Sequence, residues 1–144
     1  MATVELRFSA LPEHVRTARL VAAAVARRAG VEEAVLDEVR LAVGEACTRA
    51  VGLHQLSDIT EPVKVLLIEE EKQFSIEVGD RAPHQVPGES SDAGEGSDAE
   101  PEEDEMGLAV ISGLVDDVEV STGEHGGLIR MTWPTTPPPA AAHA

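Results

Sequence analysis

Cysteine is almost missing from this chain: Cys47 is the single one in 144 residues. An internal disulfide is excluded, and a reducing compartment is the expectation. Long apolar runs are missing as well. The longest apolar cluster, Leu20 to Val25, is far too short to span a bilayer. The N-terminus has no apolar core with a small-residue cleavage pattern, so no secretory signal is read there. A cytoplasmic protein is expected. Basic charge is scarce, with 11 Lys and Arg against 27 Asp and Glu, for a formal net charge of −16. Such a field repels nucleic acid and anionic membrane surfaces, so neither is expected as a direct partner. Motifs of common enzyme classes are absent: no H-E-x-x-H, no cysteine pair, no P-loop and no G-x-S-x-G. The histidines His14, His54, His84, His125 and His143 are scattered, and none reads as a metal ligand.

What remains is enough for one compact domain with a real core. Its charge is uneven. From Met1 to Arg49 seven basic residues balance seven acidic ones, whereas Pro87 to Glu105 holds nine acids and no Lys or Arg. That stretch has almost no large apolar residues and cannot offset its ordering entropy by burial. The region from about 80 to 105 reads as an acidic loop, disordered from about Gly88 to Glu105. Pro134 to Ala144 reads as a disordered Pro/Ala tail. The single domain is expected over 1–133.

Within it, Thr3 to Ser9 alternates apolar and polar and reads as a half-buried strand. Pro12 sits where a helix can open without its N–H, and Gly30 is placed to stop that helix. Val15, Ala18, Ala22, Val25 and Ala29 form its predicted buried stripe. Arg16, Arg19, Arg27 and Arg28 fall largely outside it. A second helix is predicted from Val31 or Glu32 to about Gly52. Pro62 to Ile68 and Lys72 to Val78 read as an antiparallel hairpin. A helix from about Gly107 to Val115 follows, then strands at Val118–Val120 and Leu128–Trp133. The order β-α-α-β-β-α-β-β predicts a two-layer α+β sandwich, with a mixed or antiparallel sheet covered on one face by helices.

The second helix organises the rest. Val39, Ala42, Val43, Ala46 and Ala50 share one face, and Glu38, Glu45 and Arg49 share another. Glu45 and Arg49 are four apart with the acid first, the favourable orientation for a helical ion pair. The segment Leu41-Ala42-Val43-Gly44-Glu45-Ala46-Cys47-Thr48-Arg49-Ala50-Val51 resembles the N-box helix of the GHKL (Bergerat-fold) ATP-binding proteins. More narrowly, it resembles the bacterial anti-sigma-factor serine kinases of the RsbW/SpoIIAB type. The resemblance runs from Val4 to Trp133 and implies the Bergerat fold.

The same resemblance implies roles for particular residues. Glu45 falls at the general base, and Arg49 at the family's magnesium-holding Asn. A guanidinium has no acceptor and cannot replace that ligand. Asp80 falls at the aspartate that receives the adenine amino group, but it opens Asp80-Arg81-Ala82-Pro83-His84 where the family has D-x-G-x-G. Gly107 falls at the second glycine of the Gly-x-Gly that feeds backbone N–H groups to phosphates, with Glu105 at the first. Gly126-Gly127-Leu128 stands where many members carry Gly-Thr-Thr. Scaffold positions match while nucleotide-contact positions differ, which implies a binding protein on a kinase scaffold.

The expected function is therefore an anti-sigma factor that sequesters an alternative sigma factor. A STAS-type anti-anti-sigma factor would compete for it, with no cofactor and no metal. Arg16 and Arg19 are the expected partner contacts, and a homodimer is expected by resemblance. The alternative is an active serine kinase using ATP and Mg2+, with Glu45 as base and Asp80 and Gly107 at the nucleotide. A third reading makes the acidic loop a docking tail for a basic partner.

Overall fold

The computed structural model describes residues 2–83, 103–115, 117–123 and 125–135. Five strands form one sheet in the order β1-β2-β3-β5-β4, every neighbouring pair antiparallel. The strands are β1 (Ala2–Phe8), β2 (Val63–Glu69), β3 (Gln73–Asp80), β4 (Asp117–Gly123) and β5 (Gly126–Pro134). Three helices, α1 (Pro12–Ala29), α2 (Leu36–Leu56) and α3 (Glu103–Leu114), complete the α+β sandwich. α2 is central: it packs against α1 on one side, α3 on the other and β3 beneath.

Period-two alternation sorts the strands. Val63, Val65 and Leu67 of β2, Phe74, Ile76 and Val78 of β3, and Ile129, Met131 and Trp133 of β5 are buried in one cluster with the helices. The intervening residues form the opposite face, which no helix covers among the described residues. On α1 the buried residues are Val15, Ala18, Ala22, Ala23 and Ala26. The stripe thus continues onto Ala26 rather than the predicted Val25 and Ala29, which are half-buried. Small residues at four-residue spacing let α1 lie close on α2. Gly30 ends α1 at φ 107, where its N–H reaches the carbonyls of Ala26 and Arg27; a left-handed C-cap is a position that glycine adopts without strain.

Several boundaries differ from the sequence reading. A 3-10 turn at Glu33–Val35 precedes α2, so the helix proper starts at Leu36. It runs through Gly52 to Leu56, because no neighbour crowds Gly52 and His54 beyond it is fully buried. Asp58 ends the run at φ 55. α3 begins at Glu103, so the last acids of the predicted disordered stretch are helical; acidic residues suit the first turn of a helix. Pro134 belongs to β5, and the N–H of Thr135 donates to the carbonyl of Lys72. The rest of the acidic loop and of the Pro/Ala tail lies outside the described residues. No described helix is long and apolar enough to cross a membrane.

Candidate functional site

The expected site residues come from α2 and the end of β3. Asp80 is the last residue of β3, paired with Gly127 of β5, and not a turn residue beyond the strand. Its Oδ1 accepts the N–H of Ala82 at 3.0 Å. Its Oδ2 stands 3.9 Å from Nη1 of Arg49. Both side chains are desolvated, at 2% exposure for Asp80 and 4% for Arg49. In such surroundings a charge is tolerated only beside its opposite.

This arrangement corrects the expected helical pair. Arg49 turns inward to Asp80, and no ion pair joins it to Glu45 among the described residues. The reason is position on the cylinder: Ala46, Cys47 and Ala50 around Arg49 are all buried, so its stem enters the protein with them. The Nε of Arg49 has no hydrogen-bond partner among the described residues. Glu45, one turn earlier, is half-buried and makes no described hydrogen bond or ion pair.

The short stretch after Asp80 is held from α2. Nε2 of His54 accepts the N–H of Arg81 at 2.9 Å. The proton of the neutral ring is then on Nδ1, which is buried without a partner among the described residues. On the other side, Gly126 has φ 141, and a Cβ there would lie 2.3 Å from the carbonyl oxygen of Asp80. Glycine is required for that close approach. Asp80 is thus fixed by α2, by its own turn and by the β4–β5 hairpin.

Gly107 is not at a helix start. It is the fifth residue of α3, past the four positions whose backbone N–H groups are free to meet a ligand. Arg16 and Arg19 are exposed on α1, as expected. Arg19 lies across Gly44 of α2: a Cβ on Gly44 would meet its Cδ at 2.8 Å. The exposed Arg19 is thereby seated next to the turn that carries Glu45.

Two side-chain hydrogen bonds between distant elements are not legible in the sequence. His54 stands four residues after Ala50 and seven after Cys47, on the buried side of α2. Glu38 accepts a hydrogen bond from Nε1 of Trp133 at 3.1 Å; nothing local in the sequence joins residues so far apart. Cys47 is fully buried, and burial pushes its thiol up to about 12. No group of three potential metal-ligating side chains occurs among the described residues.

Comparison with known proteins fits this fold. The family model of the histidine kinase-like ATPase domain matches residues 8–133. The chain belongs to that family. It is an RsbW-like member of the GHKL group, similar to the serine-protein kinase RsbW of Oceanobacillus iheyensis. The two are 29% identical over 140 residues, spanning 90% of this chain and 84% of that one. Among solved structures, it resembles the RsbU and RsbW domains of Rv1364c from Mycobacterium tuberculosis, with a TM-score of 0.68 and 17% identity. That match covers 95% of this chain but only 33% of the solved one, so this chain spans about a third of its length.

Against the group that the family implies, the donor set of this RsbW-like chain does not fit. Magnesium binds oxygen ligands, and the side chain at the ligand position is a cationic Arg49 facing Asp80. The carboxylate that would receive an adenine amino group is engaged by that guanidinium and by the N–H of Ala82.

Proposed function

We propose that this protein is an anti-sigma factor that sequesters an alternative sigma factor by direct binding. Release comes through partner switching with a STAS-type anti-anti-sigma factor, and neither ATP binding nor kinase chemistry is needed. The observation that carries this reading is the Arg49–Asp80 pair, a buried cation beside a buried carboxylate where the resemblance implies a magnesium ligand and an adenine acceptor. A guanidinium cannot ligate magnesium and repels it. Regulation then rests on which partner is bound, in the cytoplasm.

The outer surface of the helical layer supports a binding role. Arg16 and Arg19 are exposed on α1, beside Leu20 at 57% exposure, and Leu41 on α2 is 54% exposed. Arginine next to exposed apolar area is the composition of an interface centre. A pair of such chains as a homodimer is part of the proposal by resemblance.

The alternative is an active serine kinase with ATP and Mg2+. One observation favours it: Glu45, at the general-base position, is half-buried and free of described partners. A carboxylate so placed is available to take a hydroxyl proton. Calorimetric titration of ATP and ADP into the full chain, with and without magnesium, separates the two. No magnesium-dependent saturable heat up to about millimolar nucleotide is expected, a limit of roughly −4 kcal/mol in binding free energy. Micromolar, magnesium-dependent binding would overturn the proposal in favour of the kinase.

A further inference from the structure

The face of the sheet turned away from the helices carries a concavity at one end. One row of residues crosses all five strands in register: Arg7 opposite Lys64, Lys64 opposite Gly79, Gly79 opposite Leu128, and Leu128 opposite Ser121. This row opens into a cavity of about 720 Å³ at the end of the sheet, which Arg81 and His125 also line. Its size is that of a small-molecule site.

Its charge is unlike that of the rest of the chain. Three of the 11 Lys and Arg residues gather there, in a protein of net charge −16. Arg7 and Lys64 are like charges directly opposite on neighbouring strands, an arrangement that destabilises a sheet unless something neutral or anionic intervenes. Arg7 is paired with Glu5. The side chains of Lys64 and Arg81 have no ion-pair partner among the described residues. Among the described residues, two carboxylates line the cavity, Glu61 and Asp80. Asp80 is already faced by Arg49, so the competing charges are Glu61 and Glu5, the partner of Arg7. Leu128 and Pro62 add apolar wall.

We infer that this cavity binds a small molecule bearing a phosphate group, held by Arg7, Lys64 and Arg81. Guanidinium forks meet phosphate oxygens in pairs, and an ammonium supplies a compact point charge beside them. The concave wall focuses the field of the three cations on that space. The glycine at Gly79 keeps the floor of the row low. Arg7 and Lys64 lie on the face of the sheet turned away from Glu45 and Arg49, and the cavity meets the helix side only at Asp80.

The test is calorimetric titration of inorganic pyrophosphate into the full chain, with ionic strength held constant by sodium chloride. Saturable binding is expected. Lys64→Gln should weaken it by about tenfold, the equivalent of one charged hydrogen bond. Lys72→Gln, which removes the same charge from an exposed position outside the cavity, should leave it unchanged. Glu61→Gln should tighten it, a gain that misfolding cannot produce. Backbone amide shifts on adding pyrophosphate should centre on Lys64, Gly79 and Gly127. Absence of saturable heat would overturn the inference. So would equal weakening by Lys64→Gln and Lys72→Gln, or amide shifts confined to Glu45 and Arg49.

Discussion

Arg49 and Asp80 face each other across the interior at 3.9 Å, one from the middle of α2 and the other from the end of β3. The separation is at the long end of an ion pair, and both groups are out of water. Neither is replaceable alone, because the survivor would be a buried, uncompensated charge.

Asp80→Asn tests that dependence. The amide oxygen can still accept the N–H of Ala82, so the change isolates the lost charge. A loss of about 3–5 kcal/mol in unfolding free energy is expected, read from the urea midpoint at constant slope. A loss below about 1 kcal/mol would mean that the pair is not coupled.

Gly44→Ala is expected to separate folding from binding. The new Cβ meets the flexible side chain of Arg19 at 2.8 Å, which can move aside. Helix propensity favours alanine by up to about 1 kcal/mol. Thermal unfolding should therefore shift little or upward, while affinity for a sigma-factor partner falls as Arg19 leaves its seat. Unchanged affinity in a folded variant would remove Arg19 from the proposed contact surface.

The bond from Trp133 to Glu38 reports on itself, since the chain has one tryptophan. Glu38→Ala leaves the buried indole N–H without its acceptor. A cost of about 1–3 kcal/mol is expected, together with a change in the wavelength of tryptophan emission. Emission and stability both matching wild type would show that the N–H finds another partner.

Cys47 gives a pH-dependent contribution of known sign. Burial raises the thiol from 9.0 to about 12, so the folded state holds the proton to higher pH than the unfolded state. The stability from keeping the thiol neutral is complete below about 9 and is lost as pH rises towards about 12. Cys47→Ala should flatten that part of the alkaline unfolding curve. In the native state at pH 8, an aromatic disulfide reagent should label Cys47 only as fast as the protein opens; immediate labelling would contradict its burial.

Much of this could be read before any coordinates. Val39, Ala42, Val43, Ala46 and Ala50 follow helical spacing and are all buried, because α2 has neighbours on several sides. The alternation of Phe74, Ile76 and Val78 fixed their face just as reliably. Arg49 was harder: local spacing offered it Glu45, and only the sheet beneath α2 supplies Asp80. Gly107 looked like a helix start because the acids before it look like loop, yet they lead α3. His54 sat on the buried spacing of α2, but its acceptor role depends on Arg81 across the fold. Local patterns reveal which face is buried; partners between distant elements depend on the assembled sheet.

The strand order also sets a sequence of events in folding. β2 with β3 and β4 with β5 are neighbours in the chain, and short loops close quickly. β1 is different: Ala2 must find Glu69 and Phe8 must find Val63, with both N-terminal helices in between. Its pairing requires the costlier closure, so hairpins and the α1–α2 pair should form ahead of it. A growing chain would emit β1 ahead of the other four strands, leaving that edge waiting until β2 has been made.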